Sequence, residues 1–92
     1  MIHSFACGDT LALFNSKPVP RFKNIERVAR RKLLQLAAAS ELNSLRIPPS
    51  NHLEMLKGNR KGQHSIRIND QWRLCFVLEI DGAYSVEIID YH

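Results

Sequence analysis

The sequence lacks the features that mark membrane, secreted and metal-binding proteins. No apolar run approaches the roughly 20 residues that span a bilayer, and the first residues, MIHSFACGDT, do not show the basic leader and apolar run of a signal peptide. The two cysteines, Cys7 and Cys75, follow no metal-binding or redox spacing. Cys75 lies inside an apolar run and is expected to be a buried free thiol. These absences favour a reducing, cytoplasmic setting with no membrane partner.

Repeats, linkers and low-complexity tracts are also absent, so the 92 residues are expected to form one domain, residues 1–92. The chain carries 13 basic and 9 acidic residues, a net charge of +4. That balance suits a partner with a phosphate backbone, although many small basic domains bind no nucleic acid. A plain RNA-binding module is the weaker interpretation, because the exposed aromatic pairs on which such modules stack bases are missing.

Helical patterns occupy the first half of the chain. MIHSFA predicts a short strand and DTLALFN a short helix, and the clearest helix runs from Ile25 to about Ser40. Its apolar face is formed by residues three and four apart: Ile25, Val28, Ala29, Leu33 and Leu36. Arginines 27, 30 and 31 lie on the far side, where they would contact RNA, contact an acidic protein, or simply be solvated.

The second half predicts an antiparallel meander. Alternating or apolar runs, HSIRIN, WRLCFVLEI and AYSVEIIDYH, are separated by turn residues. Helices followed by such strands predict an α+β fold, with an N-terminal strand and helices packed on a small, mainly antiparallel sheet.

The last hairpin determines which side chains meet at the end of the chain. A two-residue loop at Asp81-Gly82 would place Arg73 opposite Asp90, and a loop one residue later would place it opposite His92. Side chains alternate along a strand, so either register puts Arg73, Asp90 and His92 on one face. An odd-length loop would separate them.

The preceding hairpin adds a second arginine. A three-residue loop at residues 69–71 pairs Ile68 with Trp72 and puts Arg67 beside Arg73. Two adjacent guanidinium groups repel unless an anion lies between them, and a phosphate or Asp90 would serve. Arginine stabilises phosphate and histidine transfers protons near neutral pH, so these groups suffice for RNA cleavage by the ribose 2′-hydroxyl without metal or cofactor. The alternative is a cross-strand salt bridge with a histidine at a strand end.

The strands that carry these residues also contain a motif that resembles a known family. LKGNRKGQHSIRINDQWRLCFVLE followed by VEIIDYH resembles the HigB branch of the RelE toxin superfamily, and the first half of the chain resembles the same family. The resemblance implies a RelE-like fold with the site on a concave sheet. It implies a ribosome-dependent mRNA endonuclease that cuts messages in the ribosomal A site and halts translation and growth. It also implies a HigA-like helix-turn-helix antitoxin, through which operator DNA is contacted only indirectly.

The resemblance also implies roles for individual residues. Arg73 would stabilise the scissile phosphate, and His92, with Asp90 and Tyr91 as further catalytic residues around it, would transfer protons or orient the RNA. Lys57 would contact phosphate, and Gln71 occupies a further site position. Two more RNA-binding candidates come from the sequence pattern itself: Arg60 in the basic turn KGNRKG, and Arg67 beside Arg73.

Two positions depart from the expected pattern. Some family members carry histidine where this chain has Glu54, so Glu54 would act as the base or His92 would carry the proton chemistry. Strand alternation places Tyr91 on the core side with Trp72, whereas the resemblance implies that it faces the site.

A non-cleaving toxin is the main alternative function. Proteins of the similarly shaped ParE group inhibit DNA gyrase, but a binder of that kind would not need the terminal Asp-Tyr-His set.

Overall fold

Two helices precede the sheet along the chain. The computed structural model describes residues 1–90. Helix α1 spans Gly8–Phe14 and helix α2 spans Glu26–Ala38, with short 3₁₀ turns at Pro20–Phe22, Leu42–Arg46 and Pro49–Asn51. The predicted helix of residues 25–40 is confirmed, because its three- and four-residue spacing buries Ala29, Leu33 and Leu36 in the core. No helix in the described part of the chain is long and apolar enough to cross a membrane.

Among residues 1–90, the sheet has four antiparallel strands in sequence order. They are β1 (Glu54–Met55), β2 (His64–Arg67), β3 (Trp72–Glu79) and β4 (Gly82–Asp90). The predicted first strand is reduced to two parallel bridges, Ile2 with Ala83 and Phe5 with Val86. The α+β fold class is confirmed.

Strand alternation divides the sheet into two faces. Leu74 and Phe76 of β3 lie in the hydrophobic core with the buried residues of α2. Arg73 and Cys75 therefore point to the opposite side. We call that side the outer face; it also carries Ser65 of β2, Glu54 of β1 and Glu87 of β4, which are register neighbours of Cys75 or Ser65.

The predicted register of the last hairpin is wrong. The two-residue turn lies at Ile80–Asp81, since Glu79 pairs with Gly82. A bulge between Cys75 and Val77 then sets two β4 residues, Ser85 and Val86, against one on β3. As a result Arg73 pairs with Ile89, and Asp90 pairs with Trp72. Alternation separates Asp90 from Arg73 instead of bringing them together.

The N-terminal segment accounts for the bulge. Ser85 has a φ of +54°, and its N–H donates to the Ser4 hydroxyl at 2.8 Å. The next N–H, from Val86, donates to the Ser4 carbonyl at 3.1 Å. A partner some 80 residues away in sequence therefore satisfies the two groups that leave the β3–β4 ladder.

The register of the preceding hairpin is confirmed. Ile66 pairs with Leu74 and Arg67 with Arg73. The Asn69 side chain accepts hydrogen bonds from the N–H groups of Gln71 and Trp72, which stabilises the three-residue turn.

Candidate functional site

Arg73 is a charged side chain held almost wholly inside the protein. It is 6% exposed. Its Nε donates to the Ser65 hydroxyl at 2.8 Å, and its Nη2 donates to the His52 carbonyl at 2.5 Å and the Ser65 carbonyl at 3.3 Å. A buried guanidinium keeps its proton and needs acceptors in place of water. These acceptors therefore fix the direction of Arg73 across β2.

Glu54 is an acid that lies close to Arg73 on the outer face. Its Oε1 lies 3.9 Å from Arg73 Nη1, and its side chain is 46% exposed. Glu54 pairs with Ser65, the same residue that accepts from Arg73, so β1, β2 and β3 place acid, hydroxyl and guanidinium side by side. The site thus offers solvent a carboxylate backed by a fixed cation.

Arg67 lies beside Arg73, as predicted, but its anion is different from the one expected. Arg67 forms an ion pair with Asp70 in the following turn. The repulsion between the two guanidinium groups is thus relieved locally, and Asp90 does not lie between them.

Asp90 and Gln71 contact each other at the end of β4. Gln71 Nε2 donates to Asp90 Oδ2 at 3.0 Å. Because Asp90 is paired with Trp72, this contact lies at the sheet end rather than over Arg73. Tyr91 and His92, including the question of which side Tyr91 faces, lie outside the described residues.

The β1–β2 connection forms a basic turn, residues 57–61, next to the site. A shallow groove is lined by Glu54, Met55, Leu56, Lys57 and Arg60. Arg60 Nη1 donates to Glu87 Oε1 at 2.9 Å and to Gln63 Oε1 at 3.1 Å. Arg60 is therefore engaged by an acid on β4, on the far side of β2 and β3.

Cys75 lies in the middle of this face. It is fully buried and free of any disulfide, as predicted. Burial raises the pKa of its thiol to about 11, with Arg60, Glu87 and Arg73 adding smaller effects of both signs. The same three charged residues therefore surround one buried, neutral thiol.

A second basic surface lies on α2. Its groove is lined by Lys23, Asn24, Glu26, Arg27, Arg30, Arg31 and Leu34. Arg30 is directed toward the protein: its Nε donates to the Leu13 carbonyl at 3.0 Å, and its Nη1 donates to Glu26 at 2.6 Å. Arg27 and Arg31 are exposed. Since α2 packs on the core side, this groove and Arg73 lie on opposite sides of the sheet.

The sequence did not predict three groups of the outer face: Ser65, Glu87 and the His52 carbonyl. Ser65 could have been found from the β2–β3 register, which places it opposite Cys75, two residues from Arg73. Glu87 could not, because its position depends on the bulge. The His52 carbonyl belongs to a residue with φ +45° that ends the Pro49–Asn51 turn, a backbone feature with no side-chain signal.

Comparison with known proteins agrees with this architecture. The YoeB–YefM complex from Staphylococcus aureus matches all of this chain and 98% of its own, with a TM-score of 0.59 and 18% sequence identity, which establishes the fold alone.

Sequence comparisons identify the class of protein and the family within it. A family model described as "RelE-like toxin of type II toxin-antitoxin system HigB" matches residues 16–92. Toxin HigB-1 of Vibrio cholerae is 46% identical over 69 residues, 75% of this chain and 72% of that protein. An uncharacterized protein of Haemophilus influenzae is 43% identical over 56 residues, 61% of this chain and 55% of that protein. The chain belongs to the HigB-like toxin family and is a toxin of a type II toxin–antitoxin system.

Proposed function

We propose that this toxin is a ribosome-dependent mRNA endonuclease that cuts messages in the A site and so stops translation. The observation that carries the proposal is the outer-face arrangement of Arg73, Ser65 and Glu54. Ser65 and the His52 carbonyl hold the Arg73 guanidinium in place, and the half-exposed carboxylate of Glu54 lies 3.9 Å from it. A fixed cation next to an exposed acid suits phosphate chemistry.

The reaction needs three groups. A base takes the proton of the ribose 2′-hydroxyl, whose oxygen then attacks the adjacent phosphorus. The bond to the 5′-oxygen breaks, an acid protonates that oxygen, and the products carry a 2′,3′-cyclic phosphate and a 5′-hydroxyl. Arg73 stabilises the extra negative charge on the phosphate oxygens, and no metal or cofactor is required.

Glu54 and His92 divide the proton transfers. Glu54 is the base candidate, because its carboxylate is exposed beside Arg73. His92 is the acid candidate, since imidazole gives up a proton near neutral pH. Tyr91 would orient the RNA. Asp90 would act from the end of β4, where it holds Gln71, rather than by pairing with Arg73.

The cations of the outer face would bind the RNA strand. Lys57 and Arg60 line the groove beside Glu54. Arg67 and Gln71 extend that surface toward the β2–β3 turn. The whole chain, residues 1–92, would act as one domain, in the cytoplasm.

We also propose the partners. They are mRNA in the 70S ribosome and a HigA-like helix-turn-helix antitoxin, with operator DNA contacted through that antitoxin. The solved relative is itself described as a complex of two proteins, YoeB and YefM.

Cleavage on translating ribosomes tests the function. Purified toxin is added to a translation reaction, and mRNA ends are mapped. Wild-type protein should cut within codons, while Arg73→Ala should lose about 10²–10³-fold in rate and His92→Gln about 10²-fold or more. Arg46→Ala is the matched control, because this exposed arginine bonds only Asn43 among the described contacts.

Two results would contradict the proposal. Unchanged cutting and growth arrest in both variants would show that the site is wrongly assigned. Intact mRNA together with a DNA-damage response to wild-type toxin would favour a gyrase poison.

A further inference from the structure

The basic turn is a self-contained loop that lies over the outer face. Within residues 56–63, the Leu56 N–H donates to the Gln63 carbonyl at 2.9 Å, and the Arg60 and Lys61 N–H groups donate to the carbonyls of Lys57 and Gly58. These bonds define the shape of the turn. Pairing of β1 with β2 attaches both ends of the turn to the sheet.

The Arg60–Glu87 pair connects the turn to the far edge of the sheet. The sheet order is β1-β2-β3-β4, so a turn between β1 and β2 reaches β4 by passing over β2 and β3. The N–O distance is 2.9 Å, and the side chains are 35% and 24% exposed. Ser65 and Cys75, on the strands between, are fully buried.

The pairing of β3 with β4 fixes the position of Glu87 relative to Arg73. It pairs with Cys75 across the β3–β4 ladder, and the same ladder pairs Ile89 with Arg73, two residues further along. The ladder therefore sets the distance from Glu87 to Arg73. Because Arg60 is bonded to Glu87, it holds the turn, which begins at Lys57, at a defined distance from Arg73.

We propose that Glu87 is a positioning residue: through Arg60 it holds the basic turn so that Lys57 and Arg73 face the same RNA strand. This inference rests on the proposed nuclease function. Within the RNA-binding surface, Arg60 would then act through its ion pair with Glu87 rather than by touching a phosphate, and Lys57 and Lys61 would contact the phosphates next to the turn. An acid inside an RNA-binding surface thereby strengthens RNA binding, because it orders the cations around it.

Reciprocal substitutions separate this role from direct RNA contact. Glu87→Ala and Arg60→Ala should each raise the half-saturating concentration of ribosome–mRNA complex about fivefold to tenfold, with the maximal rate changed less than about threefold. The double exchange Arg60→Glu with Glu87→Arg should recover most of that loss. Glu79→Gln, an exposed acid at the end of β3, is the control and should behave as wild type.

Amide hydrogen exchange on the free protein provides a readout independent of cleavage. Exchange across residues 57–63 should accelerate several-fold in Glu87→Ala and return toward wild type in the double exchange, while exchange in α2 stays unchanged. Exchange in the turn that does not respond to Glu87→Ala would overturn the inference. So would a loss in Arg60→Ala without a loss in Glu87→Ala, since Arg60 would then contact RNA directly. If wild-type toxin does not cut mRNA, the exchange data still decide whether Glu87 holds the turn.

Discussion

At the scale of single residues, Arg73 shows how the fold holds a buried charge in one direction. Its N–H groups donate to the Ser65 hydroxyl and the His52 carbonyl, and these neutral acceptors hold the guanidinium in one direction. Glu54 stays at 3.9 Å and half exposed. The outer face therefore places a fixed guanidinium next to a carboxylate that solvent can reach.

Ser65→Ala tests that arrangement. Loss of the hydroxyl leaves Arg73 Nε without its side-chain acceptor, so we expect a stability loss of about 1–3 kcal/mol and a cleavage rate about tenfold lower. Urea unfolding and ribosome-dependent cleavage measure the two effects. Ser44→Ala is the control, because Ser44 bonds a carbonyl in an exposed turn. Equal behaviour of the two variants would show that Ser65 does not hold Arg73.

At the scale of elements, the β3–β4 hairpin depends on the N-terminal segment. Gly82 starts β4 with a φ of +139°, and a Cβ built there would lie 2.3 Å from the Met1 carbonyl oxygen. That oxygen accepts from the Ala83 N–H at 2.8 Å. Glycine is required here both for its backbone conformation and for the close approach of a second chain segment.

Gly82→Ala should accordingly destabilise the fold by at least about 2 kcal/mol, since strain and a backbone clash add. Gly8→Ala is the matched control: Gly8 lies in α1 with an ordinary φ and nothing within 4 Å of the added Cβ, so its stability should change by less than about 1 kcal/mol. Urea midpoints compare the two. A Gly82→Ala protein as stable as Gly8→Ala would mean that the N-terminal segment does not pack against the hairpin as described.

At the scale of the whole molecule, basic residues form two surfaces on opposite sides of the sheet. The outer-face cations are interleaved with Glu54, Asp70 and Glu87. The α2 groove holds four basic residues and one acid. A short RNA bound at Arg73 cannot also follow α2, so the two surfaces are expected to differ in their effect on RNA binding.

The salt dependence of RNA binding distinguishes the outer face from the α2 groove. For a single-stranded RNA of about six nucleotides, Lys57→Ala should reduce the magnitude of the slope of log binding constant against log salt concentration by about 0.7. That is the contribution of one phosphate contact. Arg27→Ala on α2 should leave the slope unchanged. Fluorescence anisotropy at several salt concentrations measures both. Equal reductions would contradict this prediction, because they would show that the RNA contacts α2 as well as the basic turn.

The sequence by itself determined the local elements, the fold class, the family and the Arg67–Arg73 neighbourhood. Each depends on periodicity, on a short turn or on a motif, all of which act over a few residues. The pairing of Arg73 with Ile89, the displacement of Asp90 and the Arg60–Glu87 pair were decided only by the tertiary structure. Ser4 holds the Ser85 bulge across 81 residues of sequence, and one inserted residue reverses every later side chain on the strand. The hydrogen bond of the bulged Ser85 comes from a contact between two distant segments of the chain. No local sequence pattern encodes such a contact.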